Sequence, residues 1–181
     1  MTSGAFDGSS MAVRTEKASE TSKEYNNKKR KLALMDSIEQ LQSLLIPDTS
    51  VLFGTQEFAC VEVAKTKNDI KELVEGGKKC SEMMSQVFEQ LLSLHPTERR
   101  SIEVHSLLLS KLNCTPLEMS SLSDYVKLVK RGKTVQHPEM PQSFKAQMMK
   151  LLAQVWQFRL ATEMVVEAMI ASDNVNNEFI D

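Results

Sequence analysis

NKKRKLALMDSIEQLQSLLIP, residues 27–47, is the most strongly patterned stretch of the chain. Four basic residues, Lys28-Lys29-Arg30-Lys31, run directly into apolar residues at Leu34, Ile38, Leu41 and Leu45. That spacing, i, i+4, i+7 and i+11, is one apolar stripe of a helix. Pro47 ends it, because the residue before a proline is pushed out of the helical region. Read as the first helix of a repeated unit, this stretch decides the expected fold.

Working outward, residues 48–58 (DTSVLFGTQEF) read as a loop with Gly54 at its turn, and a second helix is expected over about 61–75, broken by Gly76-Gly77. The pattern then returns. A shift of 50 lays Lys28-Lys29 on Lys78-Lys79 and Glu39-Gln40-Leu41 on Glu89-Gln90-Leu91. Leu34, Ile38, Leu41 and Leu44 become Met84, Phe88, Leu91 and Leu94, and Pro96 closes the copy as Pro47 closes the original. A shift of 55 superposes Leu73-Val74 on Leu128-Val129 and Gly77-Lys78 on Gly132-Lys133. The spacing points to a duplicated helix-loop-helix, with chance likeness of two Leu/Glu/Lys-rich helices as the competing explanation. Either Ser101–Leu112 or residues 118–131 supplies the second helix of the second unit. After Pro138 and Pro141 a last helix is expected over Gln142–Ala171, with Phe144, Met148, Leu151, Leu152, Val155, Trp156, Leu160, Met164 and Met169 on a broad apolar face.

The expected fold is therefore all-α: tandem helix-loop-helix units pairing into a helical bundle, with a C-terminal covering helix. Its segments are a disordered stretch over 1–22, a first unit over 23–75, a degenerate second unit over 76–133, and the C-terminal helix and tail over 134–181. A core of Leu34, Ile38, Leu41, Leu45, Phe88, Leu91 and Leu94 is expected, because a lone helix-loop-helix buries too little to be stable and gains its core by pairing.

Composition narrows the function. The 181 residues carry 22 Lys+Arg against 24 Asp+Glu, a net charge of −2. Residues 14–31, however, hold seven basic residues against three acidic, a net +4 that leaves −6 on the rest. A basic arm on an acidic body is the pattern of a nucleic-acid contact or a targeting signal. The three cysteines, Cys60, Cys80 and Cys114, form no CxxC pair and fit neither a disulfide framework nor a zinc knuckle. No apolar run approaches 18 residues and no leader opens the chain, so a non-secreted protein without membrane contact is expected. His95, His105 and His137 are scattered, with no HExxH, GxSxG or glycine-rich phosphate loop. An enzyme is not expected, nor catalytic residues, a metal site or a cofactor.

The four-residue basic run admits three readings: a helix extension laid in the DNA major groove, a nuclear import signal, or a solvated helix end. Asn27 through Met35, followed by DSIEQLQSLLIP, resembles the basic region and first helix of a basic helix-loop-helix protein, whose pattern is E-R-x-R-R-x-x-I-N followed by an apolar helix ending L-x-x-L-I-P. Lys28, Arg30 and Lys31 match its basic positions, and Leu41, Leu44, Leu45, Ile46 and Pro47 its closing motif. The duplication makes the chain most similar to the nematode tandem relatives of the Hairy/Enhancer-of-split repressors. Two departures stand out: Asn27 replaces the glutamate that reads a CA step, and the second copy, Gly77-Lys78-Lys79-Cys80-Ser81, has lost its arginines.

The resemblance implies a nuclear, DNA-binding transcriptional regulator of developmental type, a repressor. Lys23, Asn27, Lys28, Arg30 and Lys31 would contact DNA at an E-box-like or related site. Its partners would be duplex DNA, a helix-loop-helix partner or a second copy of itself, and a transcriptional co-regulator. The departures motivate an alternative, a helical interaction protein that pairs with helix-loop-helix partners without reading DNA. An unrelated all-α adaptor is the third reading.

Overall fold

The computed structural model describes residues 11–15, 17, 19, 21–23, 45–64, 69–123 and 126–178. It overturns the all-α expectation: the chain is a mixed α/β fold built on a seven-stranded sheet. The strands are β1 (Met11–Thr15), β2 (Thr49–Phe53), β3 (Gln56–Ala64), β4 (Glu103–Ser110), β5 (Asn113–Ser121), β6 (Lys127–Arg131) and β7 (Val135–Gln136). They pair in sequence order from β1 to β6, with β7 added to β5 beside Asn113 and Cys114. All pairings are antiparallel except β3 with β4, where Cys60 lies opposite Ser106. A parallel pair needs a long crossover, and helix α1 (Asp69–Leu94) provides it. Helix α2 (Phe144–Glu178) follows the last strand.

Several expectations fall with the bundle. The loop over 48–58 is the β2–β3 hairpin, although Gly54 does sit at its turn, with a φ of +60° that favours glycine. The helix expected over 61–75 begins as strand, and both candidates for the second unit's last helix, 101–112 and 118–131, contain strands instead. Residues 11–15, expected to be disordered, form the edge strand β1. One sheet runs through both supposed helix-loop-helix units, so no splayed helix pair is formed from residues 61–75 or 101–131.

The cause lies in the burial of both sheet faces. Along β3, Phe58, Cys60 and Glu62 face α1, while Ala59, Val61 and Val63 face α2, as the register and the Cys80–Ser106 and Lys79–Glu62 contacts require. In β4, Val104, Ser106 and Leu108 face α1 and His105, Leu107 and Leu109 face α2. A strand covered on both sides loses polar alternation and reads as an unbroken apolar run, which periodicity cannot separate from a buried helix.

Helix α1 buries Cys80, Met83, Met84, Val87, Phe88 and Leu91 at spacings of three and four. Gly76 lies inside it rather than breaking it. A Cβ there would stand 3.2 Å from Ala64 Cβ and 3.3 Å from Leu108 Cδ1, so the missing side chain lets α1 approach the sheet closely. Helix α2, expected over 142–171, covers the opposite face with Leu151, Phe158, Val165, Val166 and Met169.

Candidate interaction surface

One group of buried polar side chains ties the N-terminal segment into the fold. Glu57, only 1% exposed, accepts from Arg14 on β1, from Ser19 Oγ and from Ser50 Oγ (3.2 Å). Ser22 N–H donates to Ser19 Oγ (3.1 Å), and Leu45 N–H donates to Ser22 Oγ (3.0 Å). This network fastens residues 11–23 to the α1 side of the sheet, where Thr21 Oγ1 also donates to Gln90 of α1. Its hydroxyls are committed to these bonds.

Between β3, β4 and α1 lie Cys60, Cys80 and Ser106. Ser106 Oγ donates to the Cys60 carbonyl (2.8 Å) and stands 2.8 Å from Cys80 Sγ. The bond between the thiols pushes Cys60 up, with burial in the same direction, and draws Cys80 down. Burial pushes Glu62 up, the neighbouring Lys79 pulling the other way, and Glu62 Oε2 has no hydrogen-bond partner among the described residues. Burial raises Cys114 to about 11. These thiols are free, yet all three are buried and are small apolar core groups rather than nucleophiles. Among the described residues no cluster of His, Cys, Asp and Glu could hold a metal.

On the other face an open groove of about 380 Å³ runs between α2 and strands β4–β6. His105, Pro116, Glu118, Gln154, Gln157 and Phe158 are among its lining. Burial lowers His105, with Glu103 and Glu118 acting against it. Lys130 Nζ donates to Glu118 Oε1 (2.7 Å), and Glu103 Oε2 stands 3.8 Å from His105 Nε2. Ser106 turns its hydroxyl to the opposite face, so among the described lining residues no hydroxyl or thiol is paired with the histidine.

The exposed side of α2 is different in character. Met149 (61% exposed), Leu152 (55%), Trp156 (54%), Leu160 (42%) and Met164 (69%) follow one another at three- and four-residue steps, and Ile170 (41%) extends the line. Arg159 lies over the Trp156 ring at 5.0 Å and bonds Glu163 Oε1 at 2.9 Å. A helix apolar on one face packs against its own core; one apolar on both faces is covered on both. Scattered exposed leucines need no explanation, but a contiguous apolar line of this length marks a contact site.

The expected site residues are dispersed. Asn27, Lys28, Arg30, Lys31, Leu34, Ile38 and Leu41 lie outside the described residues. Lys23 caps a short turn, its N–H donating to the Ser19 carbonyl (3.1 Å). Leu45 packs against the core, Phe88 and Leu91 are fully buried in α1, and Leu94 at its end is half-exposed. Among the described residues, Phe88 and Leu91 pack on the sheet rather than in a helix-loop-helix pair. The outer face of α2 was signalled in the sequence by the breadth of its apolar face: too many apolar positions over 144–169 for one buried stripe. No helix is long and apolar enough to cross a membrane among the described residues. Comparison with known protein families, with curated proteins and with solved structures gave no match for this chain.

Proposed function

We propose that this chain is a protein-interaction module whose docking surface is the outer face of α2. The carrying observation is the line Met149, Leu152, Trp156, Leu160 and Met164, left exposed on a helix whose opposite face already forms core. Tryptophan and arginine, stacked together here, are both residue types enriched at the energetic centres of protein interfaces. The groove, with no hydroxyl or thiol paired with its histidine among the described lining residues, favours binding over chemistry. A photo-crosslinking amino acid at position 160, expressed in cells that make the protein, tests this. A discrete protein adduct is expected from position 160 and none from position 74 on α1, which is equally open to solvent. No adduct at 160 overturns the proposal.

Charge favours a second reading, duplex DNA binding by the arm. Its support is the run Lys28–Lys31 within the basic stretch over residues 14–31, of whose charges Arg14 is already bonded to Glu57. On this reading the protein is a nuclear transcriptional regulator that meets DNA without a helix-loop-helix pair. Four neutralised phosphates correspond to a slope of roughly −3.6 in log K against log salt. Binding that shows no salt dependence, or that survives replacement of residues 28–31 by glutamine, removes this reading.

A further inference from the structure

We infer that the partner on the outer face of α2 is a second copy of this chain, docked antiparallel about a two-fold axis at Trp156. The inference deepens the interaction reading above and rests on it.

Three observations select this occupant. The first is the distribution of charge along α2. Its first half, residues 144–159, carries Lys145, Lys150 and Arg159 and no acidic residue; the second half, 160–178, carries Glu163, Glu167, Asp173 and Glu178 and no basic one. This order opposes the helix's own dipole, which favours acids at the N-terminus and bases at the C-terminus. It serves the helix poorly in isolation. Laid against an identical helix running the other way, each basic half meets an acidic half. A parallel pairing would set like charges together.

The second is register. Lys145 and Glu167 stand eleven residues on either side of Trp156, about 16 Å along the axis, and eleven residues are close to three whole turns. All three positions therefore share the exposed face. A two-fold axis through Trp156 places Lys145 opposite the partner's Glu167 twice, and Leu152 opposite the partner's Leu160. Neither Lys145 nor Glu167 has an ion pair among the described residues, whereas Arg159 is already bonded to Glu163 within its own helix.

The third is area. Six apolar side chains from Met149 to Ile170, each around half exposed, offer on the order of 100 Å² apiece, hence about 600 Å² per copy. Two copies would bury about 1,200 Å², the lower bound of a stable specific interface. The chain's own amphipathic stretch, residues 26–44, is a poorer occupant. Ser22 and Leu45, on either side of it, are bonded to each other and tied through Thr21 to α1, on the far side of the sheet from α2. A symmetric pair also closes on itself, so the apolar line is fully used without filament growth.

Sedimentation equilibrium of the full chain tests the inference, with light scattering as a second measure of mass. The mass should rise with concentration from 20.4 kDa to twice that value, with a midpoint of about micromolar. Trp156→Glu should leave a monomer with an unchanged circular dichroism spectrum, since the ring is 54% exposed; Leu152→Lys gives the same readout if that variant misfolds. Lys145→Glu and Glu167→Lys should each weaken the dimer about 2- to 30-fold, two symmetric pairs being altered. The two together in one chain should restore it. That rescue is unique to antiparallel self-docking in this register. A chain that stays monomeric, a dimer indifferent to Trp156→Glu, or charge reversals without mutual rescue each overturn the inference. A monomer that still yields a foreign adduct from position 160 overturns self-docking alone; a monomer without any adduct removes the interaction reading too.

Discussion

Replacing Glu57 by alanine takes a buried carboxylate away from the Arg14 guanidinium and two serine hydroxyls. Glu57 is 1% exposed and the Arg14 side chain 20% exposed. Glu57 Oε1 accepts from Arg14 Nη2 and Ser50 Oγ, and Oε2 from Ser19 Oγ. Removing one member of a buried pair costs about 3–5 kcal/mol, because the remaining charge loses the buried group that compensated its desolvation. Arg14 keeps some solvent, which places its share near the lower end, and the two serine hydroxyls add about 1 kcal/mol each on losing their acceptor. Glu57→Ala should therefore cost about 3–5 kcal/mol. Glu57→Gln keeps the shape and one carbonyl acceptor but not the charge, and should cost about 1–2 kcal/mol, the difference between a charged and a neutral hydrogen bond. Arg14→Ala combined with Glu57→Ala should cost less than the sum of the two by about 1.5–3 kcal/mol. Urea unfolding followed by circular dichroism measures all four, and amide exchange over residues 11–15 reports whether β1 has come loose. A cost below about 1 kcal/mol for Glu57→Ala, or strictly additive singles, would refute the reasoning: β1 and residues 19–22 would then not be fastened to the sheet by this carboxylate.

Two adjacent glycines should answer oppositely to substitution. A Cβ at Gly77 meets nothing within 4 Å, so Gly77→Ala should stabilise the protein by about 0.5–1 kcal/mol through helix propensity, while Gly76→Val, pressed on Ala64 and Leu108, should destabilise it by about 1–3 kcal/mol; urea midpoints that move the same way would contradict the close approach of α1. Burial holds His105 below its ordinary value, so the unfolded chain binds the proton more readily and stability is lost as pH falls below about 6.5. His105→Gln should show a smaller drop in urea midpoint between pH 7.5 and pH 5.5 than the parent, and an equal drop would mean the imidazole is not desolvated against α2.

How much of this was legible beforehand differs from element to element. The apolar spacing of residues 80–91 and 151–169 was enough to show helices, since neighbours on a helix face lie three or four residues apart in the chain itself. The strands were not legible, for reasons visible in particular residues. Leu107, Leu108 and Leu109 are good helix formers, and Ser101–Leu112 reads as a helix until β3 and β5 are placed on either side of it. The Gly76-Gly77 pair reads as a break, yet Gly76 is a close contact of α1 with the sheet. Arg14 counted as part of a basic arm, while its partner Glu57 lies 43 residues away. The candidate surface was half legible: Trp156 and its neighbours were recognised as apolar, but not which of them the sheet would take.

What the amino-acid sequence alone determined are the properties carried by near neighbours: helix before Pro96 and after Pro141, though not the unbroken course of α1 through Gly76-Gly77 nor the far end of α2, together with the turn at Gly54, the +4 run over residues 14–31, the reversed charge order along α2, and the lack of catalytic motifs. Tertiary structure decided the rest. Strand pairing joins residues far apart in the chain, as Cys60 joins Ser106, and its register depends on which faces are buried. Because helices cover both faces of the sheet, the central strands carry no alternation from which that pairing could be read. The same covering settled which side of α2 became core and which was left as a line of exposed side chains from Met149 to Met164.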